Sequence, residues 1–280
     1  MTHTRFAYMP LTSYPEAVDN KAIEAAVGFA ASLECALKVT AFSVDIPRIS
    51  SGLGDFLIDI PGLAKGAEER SKAETLRLQD LVKRVAKSEL ELHCASRQVP
   101  LGSVSERAVT EARYYDLTLL PWSADTDGVQ DLAEAIVFGS GRPAVLIPPS
   151  TQPAASLNHV AIAWDASRVA ARALGDALPL LAEGGRISVL TVQDEKPLGN
   201  HDIAAELAKF LKTRGFVAEP VGIQLGKMSI SETLQETALS NGAQLLAMGG
   251  YGHSRLRDFI LGGATKGVLT QLQLPVMLSH

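Results

Sequence analysis

Gln244-Leu-Leu-Ala-Met-Gly-Gly-Tyr-Gly-His-Ser-Arg-Leu-Arg-Asp-Phe-Ile-Leu-Gly-Gly-Ala-Thr265 is the stretch from which the fold is read. Its apolar opening ends at Met248, as a buried strand does, and Gly249, Gly252, Gly262 and Gly263 punctuate the residues after it. A short helical pattern from Thr265 and an apolar run through Pro275 then complete the chain. Glycine tolerates positive φ and lets backbone N–H groups come close to a ligand. A loop of this kind between strand and helix is therefore suited to cradling a phosphate, although an ordinary turn can carry the same glycines. The spacing Gly249-x2-Gly252-x9-Gly262 is neither the dinucleotide fingerprint G-x-G-x-x-G nor a P-loop, which requires Gly-Lys-Ser/Thr.

The same grammar occurs earlier in the chain. Asp116-Leu-Thr-Leu-Leu-Pro-Trp122, a polar loop, Leu132-Ala-Glu-Ala-Ile-Val-Phe138 and Arg142-Pro-Ala-Val-Leu-Ile-Pro148 again read strand, loop, helix, proline, strand. Leu117 aligns with Leu245 and Pro143 with Pro275, so the second copy carries four extra residues between strand and helix. The openings also match, with Phe6-Ala-Tyr-Met-Pro-Leu-Thr-Ser13 set against Val160-Ala-Ile-Ala-Trp-Asp-Ala-Ser167. Alanine-rich helices are expected at 16–33 and 168–181, second strands at 37–44 and 186–192, and long helices at 63–88 and 202–213. Third strands are expected at 89–94 and 217–223, and short helices at 104–113 and 230–240. An apolar Gly/Pro-containing insert spans 48–62 in the first half, and Pro148-Pro-Ser-Thr-Gln-Pro-Ala-Ala155 reads as a linker. Strands alternating with helices imply right-handed crossovers and a doubly wound parallel sheet in each half. The expected architecture is thus two flavodoxin-like five-stranded sheets of order 3-2-1-4-5, over residues 1–150 and 156–280. Such sheets bind ligands at the carboxyl ends of strands one and four, which places Asp165 beside the loop that starts at Gly249.

Composition sets limits on function. With 280 residues, 46% hydrophobic and 20% charged, the chain is globular, and no apolar run reaches the 18–20 or so residues of a membrane span. A net charge of −5 without a Lys/Arg stripe argues against nucleic acid. Cys35 and Cys94 are distant in sequence, and the first ten residues lack a signal-peptide core, so a cytoplasmic, reducing setting is expected. The six histidines (3, 93, 159, 201, 253 and 280) show no metal-ligand spacing, and no G-x-S-x-G nucleophile elbow occurs. Asp194-Glu195, after the second strand of the second half, is either a Mg²⁺ ligand pair or an ordinary charged strand end.

The glycine loop and its strand context resemble the universal stress protein family, in a tandem form that covers nearly the whole chain. The resemblance implies the adenine nucleotide alpha hydrolase-like variant of the flavodoxin-like fold, and ATP (or AMP/ADP), with or without Mg²⁺, in the second half. It implies base contact by Asp165 beside Ala163 and Trp164, and an apolar contact from Val192. It implies phosphate contact by Gly249, Gly252 and Gly262, with Met248 just before them. Ser254 falls where the family has a small hydroxyl residue, and His253, Arg255 and Arg257 are within reach of phosphates or simply solvated. Gly263 departs from the family's Ser/Thr, leaving the N–H groups of Gly263 and Ala264 as donors. Asp165 reads equally well as the N-cap of the next helix. The first half departs further. Leu11 stands opposite Asp165, and Asp125, Asp127 and Asp131 put carboxylates where phosphates would go, so that half is expected to pack without binding nucleotide. The family's last strand suggests an intramolecular pseudo-dimer, with 144–148 against 276–278, and a further homodimer is open. The expected output is regulatory, with hydrolysis slow or absent; a nucleotide-independent scaffold is the alternative.

Overall fold

The computed structural model describes residues 4–47, 59–123, 126, 128–192, 202–224, 226–250 and 271–280. The first half runs β1 (Phe6–Thr12), α1 (Asn20–Ser32), β2 (Ala36–Asp45), α2 (Ile60–Val85), β3 (Leu92–Pro100), α3 (Val104–Ala112), β4 (Leu117–Pro121), α4 (Val129–Gly139) and β5 (Ala144–Ile147). The second half repeats the series with β6 (His159–Ala163), α5 (Arg168–Ala177), β7 (Arg186–Val192), α6 (Ile203–Thr213), β8 (Val217–Ile223), α7 (Ile230–Ser240), β9 (Leu245–Gly249) and β10 (Val276–Ser279). All these strands join one ten-stranded sheet, in the order β3-β2-β1-β4-β5-β10-β9-β6-β7-β8. β1 and β6 each lie between strands two and four of their half.

Every pairing is parallel except the seam, where β5 and β10 run antiparallel with Val145 opposite Met277 and Leu146 opposite Val276. These four residues have no exposure. Parallel strands with helices on both faces are expected to be apolar throughout, and removal from water favours such side chains by about 1.5–3 kcal/mol each. Because the seam is antiparallel, the carboxyl ends of the strands in the two halves open on opposite edges of the sheet. The outermost strands are β3, with Ser96, Arg97 and Gln98 exposed, and β8, with Pro220 exposed.

Several boundaries differ from the sequence reading for local reasons. α1 begins at Asn20 rather than 16, because Pro15 precedes it and the Asp19 carboxylate caps it by accepting the Lys21 N–H at 3.3 Å. α2 begins at Ile60, so residues 60–62 belong to its first turn rather than to the insert, and Asp59 accepts the Gly62 N–H at 2.9 Å. The remainder of the insert lies outside the described residues. β3 occupies Leu92–Pro100 instead of 89–94, paired along its length with β2. Asp131 belongs to the first turn of α4 rather than to a loop, a position where the helix dipole favours a carboxylate, and Gly128 at φ 78° caps that helix. Asp125 and Asp127 fall outside the described residues. α5 stops at Ala177, and Pro179 holds the next three residues in a 3₁₀ turn.

Backbone hydrogen bonds set the equivalence of the two halves. The Arg5 carbonyl accepts from Ala36 and the Asn158 carbonyl from Arg186; Phe6 O accepts from Asp116 and His159 O from Gln244. Phe6 is therefore the counterpart of His159, and six residues further on Thr12, not Leu11, is the counterpart of Asp165. The sequence alignment of the first strands was one residue out of register. At the other end, Trp122 N–H donates to Ile147 O at 2.9 Å as Gly250 N–H donates to Ser279 O at 2.7 Å, which makes Trp122 the counterpart of Gly250.

Candidate functional site

At the carboxyl end of the second half, Ala163 pairs with Leu190 of β7, and its neighbour Ile162 pairs with Ala247 of β9. Ala163, Val192, Met248 and Gly249 therefore end side by side. β6 stops here because the chain turns outward. Trp164 N–H donates to Leu190 O at 2.8 Å, and Thr191 Oγ1 donates to Trp164 O at 3.0 Å. Asp165 is exposed, and its Oδ1 accepts the Ser167 N–H at 2.9 Å, while Ala166 takes a left-handed φ of 59°. The N-cap of α5 is Ser167, whose Oγ accepts from Ala170 N–H at 3.2 Å, and not Asp165. Asp165 instead closes the turn that precedes the cap, with its carboxylate at the helix's positive end.

Gly249 has a packing reason for being glycine. A Cβ there would stand 2.6 Å from Cγ2 and 2.8 Å from the carbonyl carbon of Val169 in α5, closer than atoms can approach. Met248 is buried and Val192 half-buried. Gly252, His253, Ser254, Arg255, Arg257, Gly262, Gly263 and Ala264 lie outside the described residues, as do Asp194 and Glu195. Sequence reasoning missed Gly250. It is buried, its N–H is bonded to Ser279, and its carbonyl lies 3.1 Å from His280 Nδ1. The signal available in the sequence was its alignment with Trp122, a residue of opposite size.

At the corresponding edge of the first half, side chains tie the strand ends to a helix. Ser13 Oγ donates to Phe42 O at 2.8 Å and lies 2.7 Å from Ser71 Oγ, which accepts the Val44 N–H at 3.0 Å. Ser13 and Ser71 are both buried, so α2 is bonded directly across the ends of β1 and β2. α2 has 26 residues and its counterpart α6 has 11, which leaves α6 no equivalent reach. Trp122 is 3% exposed, and its indole N–H has no hydrogen-bond partner among the described residues.

Two polar clusters lie away from these edges. In the first half the Glu111 carboxylate accepts from the Tyr8 hydroxyl at 3.1 Å and from Thr40 at 3.0 Å, and pairs with Arg97 and Arg107. Burial, reinforced by Glu111, holds the Tyr8 phenol far above its ordinary range. In the second half His159 Nε2 lies 2.9 Å from Ser188 Oγ, which donates to Glu219 at 3.3 Å, and Nδ1 faces Arg186 at 3.4 Å. This is not a nucleophilic relay, because the carboxylate is bonded to the hydroxyl instead of the imidazole and Ser188 has no exposure. Burial, then the Arg186 charge, lowers the His159 pKa. Among the described residues no cluster of three or more His, Cys, Asp or Glu side chains is placed to hold a metal ion. No described helix is long and apolar enough to cross a membrane.

Comparison with known proteins agrees with this fold. Residues 157–280 match the Universal stress protein family. This part of the chain belongs to that family. A universal stress protein from Archaeoglobus fulgidus DSM 4304 superimposes over 98% of this chain and 95% of its own, with a TM-score of 0.70 at 14% identity, which shows the shared fold across both halves. A putative universal stress protein from Pseudomonas aeruginosa UCBPP-PA14 covers 99% of this chain and 93% of its own, at 13% identity and a TM-score of 0.49. A universal stress protein solved in complex with cAMP covers 53% of this chain and 100% of its own, at 16% identity and a TM-score of 0.31. The fold assignment rests on the first of these. Among curated proteins none matches the sequence.

Proposed function

We propose that the chain is a tandem universal stress protein, with domains at 1–150 and 156–280, whose second domain binds an adenine nucleotide, ATP or its AMP and ADP relatives. The observation that carries this reading is the end of β6. The strand stops at Ala163, Asp165 turns out beside the N-terminus of α5, and β9 ends alongside at Gly249, from which Gly249-x2-Gly252-x9-Gly262 departs. Backbone amides at a helix N-terminus and in a glycine-rich loop suit a polyanion, and a carboxylate suits a purine amine. Mg²⁺ would come with the phosphates.

The output in this reading is regulatory. Phosphoryl transfer needs a positioned cation clamp and a residue that orients the nucleophile, and the described residues around the mouth supply neither. In this reading the first domain is a packing partner, a role supported by the Ser13–Ser71 bond that ties α2 to the end of β1. The β5–β10 seam supports an intramolecular pseudo-dimer, and the two free cysteines fit a cytoplasmic setting. A nucleotide-independent scaffold is the second reading. It is favoured by Gly249, whose packing on Val169 accounts for that glycine without a ligand.

Purified protein is heat-denatured, and the released supernatant is read by absorbance and mass. A fluorescent ATP analogue is then titrated into the stripped protein with Mg²⁺ or with EDTA. Co-purified or titratable nucleotide, lost in Gly252→Val and weakened about tenfold or more in Asp165→Ala, supports the binder. A stripped protein that ignores saturating ATP, ADP and AMP establishes the scaffold.

A further inference from the structure

We infer that the carboxyl end of α4, in the first half, is a positioning clamp for the root of the glycine-rich stretch in the second half, acting on Gly250 through Val137, Phe138 and His280. The effect on ligand rests on the nucleotide reading above; the clamp itself rests on contacts among described residues.

The antiparallel seam explains why these elements meet. α4 leads into β5, whose first residue Ala144 pairs with Leu278 near the end of β10, so the end of α4 lies at the edge where the second half opens. Arg172 of α5 also crosses the seam there, donating to Gly141 O at 3.4 Å. Gly250 is held by two hydrogen bonds and faces α4. Its N–H donates to Ser279 O at 2.7 Å, and its carbonyl lies 3.1 Å from His280 Nδ1. A carbonyl only accepts, so Nδ1 carries the hydrogen in this contact. The His280 ring meets Phe138 edge-on at 5.1 Å between centroids, with an interplanar angle of 75°. On the side of α4, Val137 Cγ1 would stand 3.3 Å from a Cβ at position 250. A side chain at position 250 would press that methyl back by a few tenths of an ångström, so glycine eases the approach of α4.

Gly250 is the last described residue before the stretch that carries Gly252 and Gly262. A loop that binds phosphate with backbone amides must hold them in place, and ordering one free residue costs about 1–2 kcal/mol. Fixing Gly250 before the ligand arrives removes part of that cost. The clamp residues Val137 and Phe138 belong to the half expected not to bind. The first half therefore sets the affinity of the second, and anything that shifts α4 changes occupancy at a distance.

The test uses the full chain with His280→Ala, His280→Asn and Phe138→Ala. Asn places its amide N–H near the position of Nδ1–H and preserves the bond to Gly250 O. Two readouts are taken: titration of the fluorescent ATP analogue, and nucleotide-free amide exchange of the peptide containing Gly250. The expected result is binding about five- to tenfold weaker in His280→Ala and Phe138→Ala, recovery toward wild type in His280→Asn, and faster exchange at Gly250 in the two alanine variants. Thermal midpoints should stay close to wild type. Alanine variants that bind and exchange as wild type does overturn the clamp. So does a loss of binding that tracks a lowered midpoint and is not recovered by asparagine, because that is general destabilisation. If the wild type binds no nucleotide while exchange at Gly250 still quickens in the alanine variants, the nucleotide reading fails and the clamp stands.

Discussion

Trp122 and Gly250 occupy one backbone position in two copies of one fold, each donating its N–H to the strand beside it, yet one carries the largest side chain and the other none. The same divergence holds along the whole carboxyl edge. In the first half, buried Ser13 and Ser71 tie the strand ends to α2, and Pro121 precedes the buried indole. In the second half, β6 stops early, Gly249 admits α5 against β9, and Gly250 faces Val137 of α4 across the seam. The two halves share strand order and register, and they differ at the edge where such sheets bind ligands. The strand order recurs in the two halves, and the side chains at this edge are where they part.

The sharpest way to break this contrast is to move one half toward the other. Trp122→Gly removes a buried indole and should cost about 4–5 kcal/mol in urea unfolding, because the surroundings cannot collapse fully into the space. Trp164, the other tryptophan of the chain, still reports the transition by fluorescence. A loss below about 1 kcal/mol would mean that Trp122 fills nothing essential. Gly249→Val comes next. Its Cβ meets both the side chain and the backbone of Val169, so the expected loss is about 3 kcal/mol, and adding Val169→Ala restores only part of it. Full restoration would place the clash in the side chain alone.

A smaller effect separates His159 from its counterpart Phe6. Burial and Arg186 depress the folded-state pKa of His159, so the unfolded chain binds the proton more readily. The stability this imidazole contributes is fully present above its unfolded value of about 6.5 and is lost as pH falls from there toward the folded value. Chemical unfolding at stepped pH should show wild type losing stability below about pH 6.5, and His159→Phe flattening that slope while the Glu219 and Arg186 charges remain. Equal slopes in the two proteins would assign the loss to other groups. Smallest of all, Asp165→Ala should lower stability by about 0.5–1 kcal/mol, since one bond to Ser167 N–H goes while the Ser167 cap stays. A much larger loss would mean that Asp165 holds the turn, leaving the base-contact assignment without independent support.

The alternation of apolar runs with helical periods made the doubly wound halves legible in the sequence, and paired punctuation at Pro143 and Pro275 made the repeat legible. Ends of elements were read less well where one residue overrode the pattern, as Asp19 does before α1 and Asp59 before α2. β3 was placed too early because Ser96, Arg97 and Gln98 face solvent at a sheet edge, so its later half carries no apolar signal. The single-residue shift between Leu11 and Thr12 arose because apolar strands align equally well in neighbouring registers, whereas the hydrogen bonds of Phe6 and His159 do not. At the candidate site, the placement of Asp165 and Gly249 at one edge came from topology. The placing of Val137 over Gly250 did not, since no local pattern links residues more than a hundred apart.

The two outer strands of the sheet have a consequence for growth. A proline on β8 withholds a donor from any incoming strand, and a guanidinium and two polar side chains on β3 would have to lose water to accept one. The ribbon is blunted at both extremities while its middle is sealed by the β5–β10 pairing. Any larger assembly would then be built through helical surfaces and not by lengthening the row of strands.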